Sequence, residues 1–204
     1  LRGSEFHLTI ANTLIDFNGK IGKATTVNGR IPAPTLYWQE GDTVTIHVTN
    51  LLEETTSIHW HGLILPYGMD GAHGVSFLGI EPNTTFTYCF KVAQSGTYWY
   101  HSHSDMQEQL GLYGAIVINP SNSPMIEVDR DYVIVLSDWT DENPMTVLDN
   151  LKKESSYYNF NKLTLLEFVH DVMESGWDKT INKYDMWSDM RMNPTDLSDV
   201  TAYT

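Results

Sequence analysis

Residues Thr43–Asn50 read TVTIHVTN, and polar and apolar side chains alternate from Thr43 to Thr49. Successive side chains of a β-strand point to opposite faces of the sheet. Val44, Ile46 and Val48 therefore share one face, and His47 and the threonines share the other. This pattern predicts a strand with one face against a hydrophobic core and the other face in water.

The segments on both sides of this strand repeat the pattern from Leu8 to Asn119. They are rich in Thr, Val, Ile and aromatic residues, with Gly, Pro or Asn interrupting them about every 8–12 residues, as in antiparallel sandwiches and barrels. We therefore predict an all-β fold for this part of the chain. Three further strands are clear from their composition: Thr84–Val92, Thr97–His103 and Gly114–Ile118.

The pattern changes after Asn119, where a short linker over Ser121–Pro124 begins. Tyr132–Leu136 predicts one more strand. Ser156–Glu174 carries apolar residues three and four apart, which predicts an amphipathic helix. The last stretch, Met186–Thr204, contains no run long enough to close a core of its own.

We expect three parts in the chain. Residues 1–6 read LRGSEF, which resembles a cloning remnant, and they are left out of the predicted fold. Residues 7–140 form the β-domain. Residues 141–204 form a partly helical linker and the start of a second, truncated domain.

Composition excludes several classes of function. Twelve Lys and Arg against 26 Asp and Glu give a net charge of −14, which repels nucleic acid and disfavours anionic membranes. No apolar stretch approaches the roughly 18–20 residues that span a bilayer, so we expect no membrane insertion. Cys89 is the only cysteine and cannot form an internal disulfide or a CxxC site. Metal chemistry must therefore depend on histidine, carboxylate or methionine.

Two matching motifs carry four of the eight histidines: His59-Trp60-His61-Gly62 and His101-Ser102-His103-Ser104. Residues i and i+2 of a strand share a face, so each motif presents two imidazoles side by side. Two such strands together place four imidazoles around one polar cleft. Neutral imidazole binds copper, zinc, iron and nickel, and the paired motifs predict a metal site.

These motifs and their surroundings resemble the multicopper oxidases, whose first cupredoxin domain carries an HWHG and a later HSH at about this distance. The resemblance extends from about Ala24 to Tyr203. It is strongest in the stretches TTVNGRIPAPTLYWQEGDTVTIHVTN, SIHWHGLILP, GTYWYHSHSDMQEQLGLYGAIVI and DRDYVIVLSDWTDENP. The stretches DRDYVIVLSDWTDENP and MRMNPTDLSDVTAYT, with the intervening SYYNF segment, are most similar to the periplasmic copper-resistance oxidases of bacteria. The implied fold is an all-β Greek-key cupredoxin sandwich or barrel, followed by a partly helical connection.

The resemblance also implies roles for individual residues. His59 would bind the type 2 copper, His61 and His101 one type 3 copper, and His103 the second type 3 copper of a trinuclear cluster. This cluster reduces dioxygen to water with electrons from a phenolic substrate or Cu(I). Asp70 matches an acidic residue that assists proton delivery; its local sequence is equally compatible with a purely structural Asx turn.

The chain also departs from the family pattern. The family's cluster takes eight histidines, and four matching ones are present here; the other four, and the type 1 copper, belong to a C-terminal cupredoxin domain. Cys89 has no neighbouring histidine and is interpreted as a packed or surface thiol. This fragment alone is therefore expected to be inactive.

Other candidate ligands are weaker. His73 is interpreted as a loop residue, His47 and His170 as solvated side chains, and His7 adjoins the excluded residues. Methionines could bind Cu(I) but are more often core residues; they are Met106, Met186, Met190 and Met192. The neighbouring aromatic residues are expected to pack behind the ligand strands: Trp60, Tyr98, Trp99 and Tyr100.

The preferred interpretation is the N-terminal half-site of a periplasmic, laccase-like multicopper oxidase that acts in copper resistance. Its partners would be dioxygen, a phenolic substrate or Cu(I), and the remaining cupredoxin domains. Two alternatives stay open: a non-catalytic copper-binding or storage module, and a two-domain nitrite reductase. The second alternative is disfavoured because HWHG followed by HSH suits a trinuclear site.

Overall fold

The computed structural model describes residues 1–17, 19–122, 128–155, 157–158, 165–189 and 202–203. The chain divides into two compact units, Leu1–Trp139 with Ala202–Thr204 and Thr140–Thr201. The helices are α1 (Pro144–Lys153), α2 (Leu165–Ser175) and α3 (Trp177–Asp189). The strands are β1 (Glu5–Phe17), β2 (Lys20–Val27), β3 (Ala33–Gln39), β4 (Thr43–Asn50), β5 (His59–His61), β6 (Thr85–Lys91), β7 (Gly96–His101), β8 (Tyr113–Asn119), β9 (Asp138–Trp139) and β10 (Ala202–Tyr203).

Two four-stranded sheets form the β-domain, in the orders β2-β1-β4-β6 and β3-β8-β7-β5. The pairs β1–β4 and β3–β8 are parallel, and the other pairs within these sheets are antiparallel. The sheets are therefore mixed, whereas the strand spacing had predicted an antiparallel arrangement. Parallel neighbours require connections that cross between the sheets, and strand composition does not reveal these.

The core lies between the two sheets. The alternation predicted for β4 is confirmed, because Val44, Ile46 and Val48 are fully buried while Thr45 and His47 are not. Trp60 of β5 is also fully buried, and its ring centroid lies 5.2 Å from that of Tyr88 and 5.8 Å from that of Tyr100. Because Trp60 points into this core, the residues before and after it point out of the sandwich.

Residues 1–6 belong to the fold, and leaving them out of it was wrong. Glu5 and Phe6 start β1, and Phe6 is buried in the core. The amino terminus of Leu1 donates a hydrogen bond of 2.6 Å to the carbonyl of Thr35. Strand β1, an inner strand of the first sheet, thus begins within these residues, and Leu1 contacts β3 of the second sheet.

The strand predicted at Tyr132–Leu136 is absent from the described part of the structure. These residues form no β-ladder, and Tyr132, Ile134 and Leu136 are exposed. The segment instead borders a cleft of about 810 Å³ beside Trp99 and Tyr113. A continuous apolar run such as YVIVL forms a strand only when a neighbouring strand supplies hydrogen-bond partners, and none of the described strands pairs with this segment.

The second unit contains the helices. Helix α1 begins where the side chain of Asn143 accepts a hydrogen bond from the backbone of Met145, and Pro144 occupies its first turn. Helix α2 confirms the predicted helix at 156–174 only from Leu165 onward, because Tyr157 and Tyr158 form a turn. It ends at Ser175, before Gly176, whose φ is +83°. Helix α3 was not predicted. Among the described residues, no helix combines the length and apolar character needed to cross a membrane.

Candidate metal centre

The first histidine motif lies on β5, next to β7. In this antiparallel pair His59 is directly opposite His101, and His61 is opposite Trp99. Trp60 is buried in the core, so His59 and His61 lie on the outer face of the sheet, together with His101. The pleat and the register together bring three imidazoles to one place.

All four histidines of the two motifs come together. The ring centroid of His59 is 5.6 Å from that of His61, 5.4 Å from that of His101 and 5.7 Å from that of His103. Ligand atoms of His59, His61 and His101 lie within 4.8 Å of one another. The predicted convergence of the two motifs is therefore confirmed.

The spacing and protonation of this cluster fit a transition metal. Nδ1 of His61 is 3.2 Å from Nε2 of His101, and two nitrogens that share a metal at about 2.0–2.1 Å in tetrahedral geometry stand about 3.3 Å apart. Partial desolvation of the exposed His61 ring, followed by the nearby His101 and His59, lowers the pKa of His61. The lower pKa favours the neutral imidazole, which is the form that binds metal.

Hydrogen bonds at Nδ1 orient two of the rings. Nδ1 of His59 donates to the backbone carbonyl of Asp70 at 2.9 Å, and the Asp70 carboxylate lies 3.6 Å from the same nitrogen. Nδ1 of His101 lies 2.7 Å from a carboxylate oxygen of Glu108 and 2.8 Å from the carbonyl of Ser102. Each of these bonds leaves Nε2 free for a ligand.

Glu108 was missed in the sequence. The hydrogen bond from His101 lowers the pKa of its carboxyl, which favours the charged form. Glu108 lies seven residues after His101 in a segment of turns. No helix or strand spacing relates the two residues, so the contact could not be read from a periodic pattern.

His103 reaches the cluster by another route. Strand β7 ends at His101, so the strand predicted to His103 is two residues too long and the pleat does not position His103. Its backbone N–H donates to Oγ of Ser57 at 3.1 Å. Ser57 is also 2.9 Å from Oγ of Ser104, whose hydroxyl lies 2.8 Å from Nδ1 of His73. Buried serines therefore fix this loop.

Asp70 and Gly71 follow the short 3-10 turn Tyr67–Met69. Gly71 has φ +75°, and a Cβ atom there would lie 1.9 Å from the carbonyl oxygen of Ile58. Only glycine allows the turn to approach β5 this closely. The approach places the Asp70 carbonyl against His59.

The neighbouring aromatic residues divide between the two faces of β7. Tyr100 is fully buried and Tyr98 packs against the core, as expected. Trp99 was expected to pack behind the ligands, which is wrong. It lies on their face, 37% exposed, and stacks on His101 with centroids 4.1 Å apart.

None of the weaker candidates in the described part of the chain belongs to the ligand group of His59, His61 and His101. His73 bonds to Ser104, and His170 lies 3.7 Å from Glu174 on α2. Cys89 is exposed. Met186 is 54% exposed on α3, while Met190 and Met192 lie outside the described residues.

Fold and site together define a cupredoxin-like β-sandwich with a histidine metal centre on one sheet. A family model described as multicopper oxidase matches residues 9–123. The chain belongs to the multicopper oxidases, a family of copper-binding oxidoreductases. The resemblance seen in the sequence, the cupredoxin fold and copper as the cofactor are confirmed at this level.

Individual relatives agree with this assignment. The chain is 55% identical over all 204 residues to copper resistance protein A of Escherichia coli and 53% identical to a homologue from Pseudomonas syringae pv. tomato. It spans 34% and 35% of these proteins, about a third of their length. A laccase from B. aclada is similar in structure over 74% of this chain and 28% of its own, with a TM-score of 0.67 and 38% identity.

Proposed function

We propose that this chain supplies one half of the trinuclear copper cluster of a multicopper oxidase. His59 binds the type 2 copper. His61 and His101 bind one type 3 copper, and His103 binds the other. The observation that carries this assignment is the 3.2 Å approach of Nδ1 of His61 to Nε2 of His101, which is the spacing of two ligands on one metal.

Copper at this cluster supplies the redox chemistry, in which one dioxygen takes up four electrons and four protons to form two waters. The electrons come one at a time from a phenolic substrate or from Cu(I). Glu108 and the Asp70 carbonyl hold the imidazoles in the tautomer that leaves Nε2 free. The carboxylate of Asp70, about one third exposed, lies 3.6 Å from Nδ1 of His59 and is placed to relay protons between water and the cluster.

The other half of the cluster and a type 1 copper belong, in this proposal, to further cupredoxin domains of the same protein. The relatives' greater length supports this. We also propose a role in copper resistance in the periplasm, supported by the identity to copper resistance protein A. Cell fractionation with an antibody against this chain tests the location.

The full-length gene product provides the test of the oxidase. His103→Ala should abolish dioxygen consumption while leaving the type 1 copper reducible, because His103 belongs to the cluster alone. His170→Ala is the matched control, since His170 lies on α2 beside a carboxylate and outside the cluster. Near-normal oxygen consumption by His103→Ala would remove this residue from the site.

Asp70→Asn tests the proton role. Reoxidation of the reduced cluster should slow while copper content stays unchanged, because an amide cannot exchange a proton as a carboxylate does. Loss of copper would show that Asp70 has a structural role instead. If the protein were instead a copper-storage module, the copper-loaded wild-type protein would consume no dioxygen.

A further inference from the structure

A second group of ligand-type side chains lies on the outer face of the other sheet. His7 of β1 is directly opposite His47 of β4 in their parallel pairing. Glu5 precedes His7 by two residues and therefore shares its face. Ligand atoms of the three residues lie within 4.8 Å of one another.

The contacts within this group converge on two ring nitrogens. A carboxylate oxygen of Glu5 is 3.4 Å from Nε2 of His47 and 3.9 Å from Nε2 of His7. The two rings are stacked, with centroids 4.8 Å apart and planes at 19°. Both Nε2 atoms therefore face one carboxylate.

A hydrogen bond from a neighbouring strand also orients the ring of His47. Its Nδ1 lies 2.9 Å from the hydroxyl of Thr87 on β6. A partner at Nδ1 fixes the ring and presents Nε2 for a ligand, as is usual for metal-binding histidines. From the sequence, His47 was interpreted as solvated and His7 as lying next to excluded residues, so neither was considered with Glu5.

We propose that Glu5, His7 and His47 form a second metal site, which binds a divalent first-row transition ion. Two imidazoles and a carboxylate suit Zn²⁺ and Cu²⁺, and Cu²⁺ is bound most tightly by such ligands. The side chains of Glu5 and His7 are 66% and 75% exposed, so rotation about their χ angles can bring the ligands to within about 3–4 Å of one another. The remaining coordination positions face water, which predicts a weak and exchangeable site.

This site is separate from the centre on β5 and β7. Phe6 and Ile46, which alternate with its ligands, are buried in the core, and Trp60 is buried in the same core from the other sheet. The two groups therefore lie on opposite outer faces of the sandwich. The second site does not depend on the proposed oxidase function.

Residue-resolved NMR of the labelled 204-residue chain tests the site with Zn²⁺ alone. The Cys89→Ser background removes the exposed thiol as a competing ligand. The imidazole resonances of His7 and His47 should shift together along one binding curve. In His47→Gln, the affinity read at His7 should fall by at least about tenfold. His170→Gln is the matched control and should leave this curve unchanged, since His170 has a carboxylate neighbour on another element.

Two results would overturn the site. Resonances of His7 and His47 that do not move up to about 1 mM Zn²⁺ show that no useful affinity exists. A binding curve at His7 that is unchanged in His47→Gln shows that each histidine binds alone. If His47→Gln fails to fold, the reciprocal variant His7→Asn, at a more exposed position, gives the same measurement at His47.

Discussion

The Glu108 carboxylate, together with the Ser102 carbonyl, orients the ring of His101 toward the cluster. Glu108 bonds to Nδ1 of His101, and the stacked indole of Trp99 limits rotation of the same ring. The histidines themselves were predictable, because the repeated HxH spacing is visible in the sequence. The neighbours that orient them were not predictable. Glu108 lies in a segment of turns with no periodic relation to His101, and Trp99 was expected to pack behind the ligand strands.

Glu108→Gln should weaken copper binding by the chain about 10–100-fold, because the amide is a poorer acceptor for the imidazole N–H. Isothermal titration with Cu²⁺ measures the change. Glu174→Gln is the control, as Glu174 also neighbours a histidine but lies on α2. Equal affinities for both variants would show that Glu108 does not support His101.

Gly71→Ala should destabilise the fold by about 1–3 kcal/mol or more, because its Cβ would collide with the Ile58 carbonyl at a positive φ. The collision should also pull the Asp70 carbonyl away from His59. Gly68→Ala lies in the same turn with no atom within 4 Å of the new Cβ, and it provides the control. Urea unfolding that gives equal stability for the two variants would contradict this account.

At the scale of elements, four strands predicted from alternation or composition are present; β4 has the predicted ends, and the ends of the other three differ by one or two residues. The difference that affects the site is in β7, which ends at His101, two residues before its predicted end. Its last two predicted residues enter a loop that buried serines hold. Strand alternation records burial on one face, but it carries no information about side chains that bond across a loop.

Ser57→Ala tests how the loop holds His103. The change leaves the His103 amide without its acceptor in a partly buried setting, which should cost about 1 kcal/mol. Amide hydrogen exchange at His103 should become faster, while exchange within β8 stays close to wild type. Ser4→Ala, at an exposed position before β1, is the comparison. Unchanged exchange at His103 would place control of the loop elsewhere.

At the scale of the molecule, the sandwich class followed from strand spacing, but the pairing of β1 with β4 did not. That pairing joins residues about 40 positions apart and brings His7 to His47. Long-range pairing is set by the packing of whole sheets and not by local composition. The second histidine group was therefore invisible in the sequence, whereas the first group was visible as a repeated motif.

In the His47→Gln background, which removes a ligand of the proposed second site, the isolated chain should bind fewer than three copper ions when reconstituted with Cu²⁺ under air. It should show no intense blue thiolate absorption, since Cys89 has no adjacent histidine, and it should not oxidise a phenolic dye. Metal analysis, an absorption spectrum and a dye assay check these outcomes on protein of confirmed mass. Sustained turnover would mean that four histidines suffice, through pairing between copies of the chain.

The stacking of Trp99 on His101 gives the metal centre an optical reporter. Cu²⁺ quenches indole emission at short range, and this ring lies 4.1 Å from a proposed ligand while remaining partly open to solvent. Copper loading should therefore dim the chain's intrinsic fluorescence, and Trp99→Phe should remove much of that loss without removing a ligand. Occupancy of the histidine cluster can then be followed in real time, with no added dye.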